Sequence, residues 1–154
     1  MQTFLPYKSF KQSFKTLDYR RLGKQRVEAY QVLNVLLGRV KTKGWVNHPI
    51  TKMWRGYENA LKQYLNECID SWVERGYNNN MKKEIIDGDI KYPHWLGNDL
   101  FHSSHRANLL RKDYEYYSKF MWSEDSENPY CWFDTDKEQW YKQHVGTGER
   151  EYVS

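Results

Sequence analysis

One stretch, Thr16 to Gly38 (TLDYRRLGKQRVEAYQVLNVLLG), restricts the possible folds of this chain more than any other. Leu22, Ala29, Leu33, Leu36 and Leu37 recur at helical spacing, so one stripe of a long helix must be covered by a core. Both ends are signalled. Thr16 can cap the start, Asp18 places a negative charge at the positive helix end, and Gly38 can take the left-handed turn that closes it.

The other faces of this helix are charged. Arg21, Gln25 and Glu28 stand at i, i+4 and i+7 and share one side, with Arg20, Lys24 and Arg26 around them. Two readings are open. One is a solvated basic face whose acid makes ordinary i,i+3 and i,i+4 pairs. The other is an acidic catalytic residue set within a surface that binds a polyanion.

At 154 residues the chain suits one domain. Aromatic residues make up 17% of it, with 7 Trp and 13 Tyr, so the core and any recognition surface should be built largely from rings. The net charge of +4 is mild, but the cations cluster while acids gather in the last third, which points to a nucleic-acid or other phosphate partner. Cys68 and Cys131 form neither a CxxC nor a disulfide framework, so a reduced, cytoplasmic setting is expected. No signal-peptide core and no apolar run near 18 residues is present, so a membrane location is not expected.

The remaining elements follow in order. Phe4, Leu5 and Pro6 read as an N-terminal arm that docks on the body, and Phe10 and Phe14 suggest a short helical turn. Arg39, Lys41 and Lys43 form a basic loop. Pro49 starts a second long helix reaching Arg75, in which Gly56 is expected to mark a close crossing. Residues 77–96 read as a long loop. A third helix, DLFHSSHRANLLRKD, follows Asn98 and shows His102, His105 and Arg106 on its polar face, then Arg111 and Lys112. Asp113 caps a short helix through Phe120. Thr135 and Glu138 form a capping-box pattern for a last short helix carrying Trp140 and Tyr141, and beyond Gly146 the tail is expected to be loose. The fold class expected is all-α, one compact domain of three main helices with long loops.

TFLPY, LDYRRLGKQRVEA, GWVNHP, MWRGYE, WLG and FHSSHRANLLRKD together resemble the pyrimidine-dimer DNA glycosylases of the phage endonuclease V type, in a bacterial and phage branch. The likeness runs from the N-terminus to about Trp132, which suggests a glycosylase domain over 1–133 and an extension over 134–154. Toward the phage enzyme itself it is carried by DYRRL, the Pro49 helix start, ERGYN and NDLFH; its aromatic C-terminus aligns with either Pro129 to Trp132 or Trp140 to Lys142. The resemblance implies an arm threading between helices and a backbone α-amine that attacks C1′ of a damaged nucleotide in double-stranded DNA. Base release through a Schiff base and strand cleavage by elimination follow, aided by a helix-borne glutamate and by extrusion of a nucleotide. A monomer without metal or organic cofactor is implied.

At two positions the chain departs from the family pattern. Arg21 stands where the family carries its catalytic glutamate in DYRRL, and Glu28, about 10 Å further along the helix, is the substitute. Gln2 is bulky, so Met1 is retained and becomes the candidate nucleophile, with Lys24 as a fallback amine. The expected site is therefore Met1, Glu28 and His105 for catalysis, with Arg21, Lys24, Gln25, Arg26, Arg106, Arg111 and Lys112 on DNA. Two other readings stay open: a non-catalytic DNA-binding module on the same fold, and a metal-dependent nuclease using the histidines.

Overall fold

The computed structural model describes residues 1–41 and 44–153; Lys43 of the basic loop lies outside the described residues. Contacts gather the chain into two compact units, Met1–Phe4 with Ser9–His94, and Leu5–Lys8 with Trp95–Ser154.

In the first unit, α1 (Phe10–Thr16) begins after Ser9, whose hydroxyl accepts the Gln12 amide at 3.1 Å. Thr16 closes this helix and donates its hydroxyl to the Ser13 carbonyl. The cap of α2 (Tyr19–Leu36) is therefore Asp18, which accepts the Arg21 amide at 3.4 Å. Leu22, Gln25, Ala29, Val32 and Leu33 form the buried stripe of α2, while Leu37 is exposed.

The helix expected from Pro49 to Arg75 is two helices, α3 (Pro49–Trp54) and α4 (Glu58–Glu74). Gly56 breaks them apart with φ +90°, a left-handed value that a continuing helix excludes. A Cβ there would meet nothing within 4 Å, so Gly56 serves a turn and not a crossing. The close approach falls at Gly23, where a Cβ would lie 3.1 Å from the Trp72 ring. Phe14, Leu17, Leu22, Leu33, Trp54, Tyr64 and Leu65 are fully buried and form the core of this unit.

Residues 77–94 form no regular element, but the polar face of α4 holds them in place. Lys83 pairs with Asp70, and the Asn66 side chain accepts the Glu84 amide at 2.7 Å and donates to its carbonyl at 2.9 Å. Lys62 donates to the Ile85 carbonyl, and Asn59 to those of Asp87 and Asp89. Rising loop numbers meet falling helix numbers, so the segment runs antiparallel to α4.

The second unit is built on α5 (Asp99–Lys112), capped by Asn98, and α6 (Tyr114–Tyr117), capped by Asp113 and followed by a 3₁₀ turn at Ser118–Phe120. The chain is mostly helical, at 46%, but not all-α. The expected C-terminal helix is instead a hairpin of β1 (Tyr130–Asp134) and β2 (Gln139–Gln143), and the tail expected to be loose adds β3 (Arg150–Tyr152) antiparallel to β2. Asp134 caps the hairpin turn by accepting the amides of Asp136 and Lys137, and Glu138 takes φ +53°. A dense run of aromatic residues favours strands, and here it overrides a capping pattern of two residues. Among the described residues no helix is long and apolar enough to cross a membrane.

Candidate active site at the chain start

The first four residues are fixed by side chains of the first unit. Trp54 of α3 donates its indole N–H to the Thr3 hydroxyl at 3.1 Å. Gln25 of α2 accepts the Phe4 amide on Oε1 at 2.7 Å, and Tyr64 of α4 shares its one hydroxyl proton between the same Gln25 oxygen at 2.7 Å and the Phe4 carbonyl at 3.0 Å. Three helices thus hold one extended tetrapeptide. Gln2, Thr3 and Phe4 are buried in consequence, and Met1 is half-buried.

Gln25 also faces the acid. Its Nε2 donates to Glu28 Oε2 at 3.1 Å, so one amide joins the backbone of Phe4 to the half-buried carboxylate. Gln25 itself is 1% exposed, which corrects its expected place on the DNA: position 25 belongs to the buried stripe with Leu22 and Ala29. Tyr64 is pushed well above the usual phenol range, first by burial and then by the nearby Cys68 and Glu28.

The charge of the chain end also reaches His48, the residue just before Pro49 in the GWVNHP stretch. Its Nδ1 accepts the Ile50 amide at 3.1 Å and caps α3, which fixes the neutral ring with its proton on Nε2. Burial, and next the positive charge of the Met1 amine, hold this imidazole below its ordinary range. Trp45 lies edge-on to the ring at 5.2 Å. The signal in the sequence was the HP pair, since Pro at the first helical position makes the preceding residue the cap. Gln2 Nε2 and Thr51 Oγ1, one residue after Met1 and three after His48, are buried with no hydrogen-bond partner.

The cations expected on DNA are mostly engaged within the protein. Arg21 pairs with Asp18 at 3.2 Å, and Arg26 stacks 4.5 Å over the Trp72 ring while donating to Asn79; Lys24 is exposed. In the second unit Arg106 pairs with Glu124 at 2.9 Å and donates to the Pro6 carbonyl at 2.6 Å. Arg111 donates to Asn108 and to the carbonyls of Ser126 and Asn128, and Lys112 is exposed.

His105, expected to assist the reaction, is 0% exposed, and its Nδ1 accepts the Leu5 amide at 2.9 Å. His102 completes the grip. Its Nε2 accepts the Gly97 amide at 2.9 Å, so Nδ1 carries the proton donated to the Leu5 carbonyl at 2.8 Å. Both rings must be neutral for this arrangement, and burial is the first cause holding both below their usual range. The correction to the polar face of the third helix follows from α5 being buried on most sides, including at His102, Ser104, His105 and Asn108. With both nitrogens of His102 bonded to backbone groups, that ring offers no lone pair to a metal.

Residues 2–4 are thus tethered by three helices, and the Gln25 side chain that holds the Phe4 amide also holds the Glu28 carboxylate. The chain belongs to the pyrimidine dimer DNA glycosylase family, whose model matches residues 1–85, from the arm through α4 and the segment pinned along it. The matched region contains Met1, Gln25, Glu28, His48 and Tyr64 and stops short of α5. No curated protein and no solved structure gives a significant match.

Proposed function

We propose that the protein excises damaged bases from double-stranded DNA and then nicks the strand as an AP lyase, with the Met1 α-amine as nucleophile and Glu28 as its acidic partner. The observation that carries this reading is the single Gln25 amide that ties the Phe4 backbone to the Glu28 carboxylate. A terminal segment without a role ordinarily frays; this one is held by three helices, and its charge reaches a neutral imidazole.

The chemistry follows from these groups. The neutral amine attacks C1′, the glycosidic C–N bond breaks, and the base leaves with the bonding pair and takes up a proton. Loss of a proton from the amine nitrogen and opening of the sugar ring give the Schiff base. Removal of a C2′ proton then expels the 3′ phosphate, and water releases the product from Met1. In this reading Glu28 stabilises the positive charge that develops on the sugar. The buried, unpartnered polar atoms of Gln2 and Thr51 each cost about 1–3 kcal/mol, a burden that fits a site shaped for a polar ligand and not for stability alone.

Borohydride reduction during turnover tests this reading. A covalent protein–DNA adduct should form on a duplex carrying a cyclobutane dimer or an abasic site. A protein that binds the duplex but is never trapped would be a binding module and not an enzyme of this kind.

A further inference from the structure

A groove of about 640 Å³ opens between Tyr30 on α2 and the segment pinned along α4. Arg39, Lys62, Lys82 and Lys83 line it against a single carboxylate, Glu84. Two of these cations are already matched. Arg39 makes a two-pronged pair with Glu84 at 2.8 and 3.1 Å, which holds that carboxyl below its ordinary range, and Lys83 pairs with Asp70. The other two retain donors toward the groove. Lys62 uses one of its three N–H groups on the Ile85 carbonyl, and Lys82 is exposed and forms no ion pair among the described residues.

The walls are fixed, since Asn59, Lys62 and Asn66 hold the segment to α4 through its backbone. The cations are spread around a space much larger than one phosphate, as contacts with a repeating polyanion require. Of the cations in this unit that were expected on DNA, Arg21 and Arg26 are bound elsewhere.

We propose that this groove seats the sugar–phosphate backbone of duplex DNA beside the lesion, with Lys62 and Lys82 donating to phosphate oxygens. The inference rests on the glycosylase reading for its choice of polyanion. It assigns to the groove a sequence-independent share of the affinity.

Binding of a long undamaged duplex, followed by fluorescence anisotropy over a series of salt concentrations, tests it. For each lysine removed, the slope of log K against log salt should fall by about 1, so by about 1 for Lys82→Gln and about 2 for the double variant with Lys62→Gln. Among the described residues the Lys82 side chain makes no hydrogen bond or ion pair, so its variant folds whether or not the groove binds DNA. An unchanged slope and affinity in Lys82→Gln would overturn the proposal, whatever the double variant does. Borohydride trapping of the wild-type protein is read separately: its failure would remove the lesion chemistry and leave the salt slopes to judge the groove.

Discussion

Replacing Gln25 by Leu removes the amide that joins the arm to the acid while keeping a side chain of similar bulk. The Phe4 N–H loses its acceptor at 2.7 Å, in a residue only 6% exposed. Tyr64 keeps the Phe4 carbonyl but loses its shorter bond, and Glu28 loses the donor at 3.1 Å. One stranded buried amide costs about 1–3 kcal/mol, and the two weakened bonds about 1 more, for roughly 2–4 kcal/mol in all. In a chain of this size that lowers Tm by on the order of 4–16 °C.

Urea or thermal unfolding reads the stability loss, and the rate of borohydride trapping under conditions where the variant is folded reads the loss of placement. Both should fall. Gln25→Glu separates the two functions, because it keeps an oxygen for Phe4 and Tyr64 but sets a second carboxylate against Glu28. Its deficit relative to wild type at the same pH should ease in acid, where like-charge repulsion is relieved; that of Gln25→Leu should not. Wild-type Tm and trapping rate in Gln25→Leu would refute the claim that this amide holds the site together.

Glu28→Gln should slow base release by about a hundredfold or more while leaving affinity for lesion DNA nearly intact; parallel loss of both, in glycosylase and binding assays, would contradict a role in the chemistry. The buried neutral histidines set a pH dependence of stability. His48, His102 and His105 all have folded pKa values below the ordinary one, burial being the first cause in each, so the unfolded chain binds more protons as pH falls through about 6.5. Unfolding free energy should therefore drop as pH falls below about 6.5, with the buried His102 and His105 contributing most, before most carboxylates titrate. Glu67, which burial holds above its usual range, works in the opposite sense; a flat urea-denaturation profile over this window would be inconsistent with the histidine grip on Leu5. Gly56→Ala should destabilise by about 1 kcal/mol because of its left-handed backbone, whereas a glycine inside a continuous helix would give a gain of about the same size; the sign of the Tm shift decides.

Much of the helical frame was legible in the sequence because apolar spacing is read directly. Leu22, Ala29 and Leu33 face the core as their period requires, and Asn98 and Asp113 cap the helices they precede. Where two caps competed, Thr16 and Asp18, the extended Leu17 between them decided: the short first helix ends at Thr16, and Asp18 caps the long one. Gly56 read as a crossing because spacing carries no φ.

The C-terminal sheet was missed because Thr135 and Glu138 suggest a helix locally, while the pairing of Trp132 with Tyr141 and of Tyr141 with Tyr152 is non-local. In the site, Gln25 was legible in principle, lying on the stripe between Leu22 and Ala29, but its polarity drew it outward. The role of His105 was not legible, since its partner Leu5 lies a hundred residues away. The polar stripe of Asn59, Lys62, Asn66 and Asp70 on α4, which holds the long loop, was not read because its partners lie in a segment without periodicity.

The central claim is that the α-amine of Met1 is the reacting group. Mass spectrometry of the borohydride-trapped complex, after digestion of both DNA and protein, locates the bond directly. The sugar remnant is expected on the N-terminal peptide, attached to the Met1 nitrogen. A remnant on Lys24 or on any other lysine, with Met1 unmodified, would contradict it.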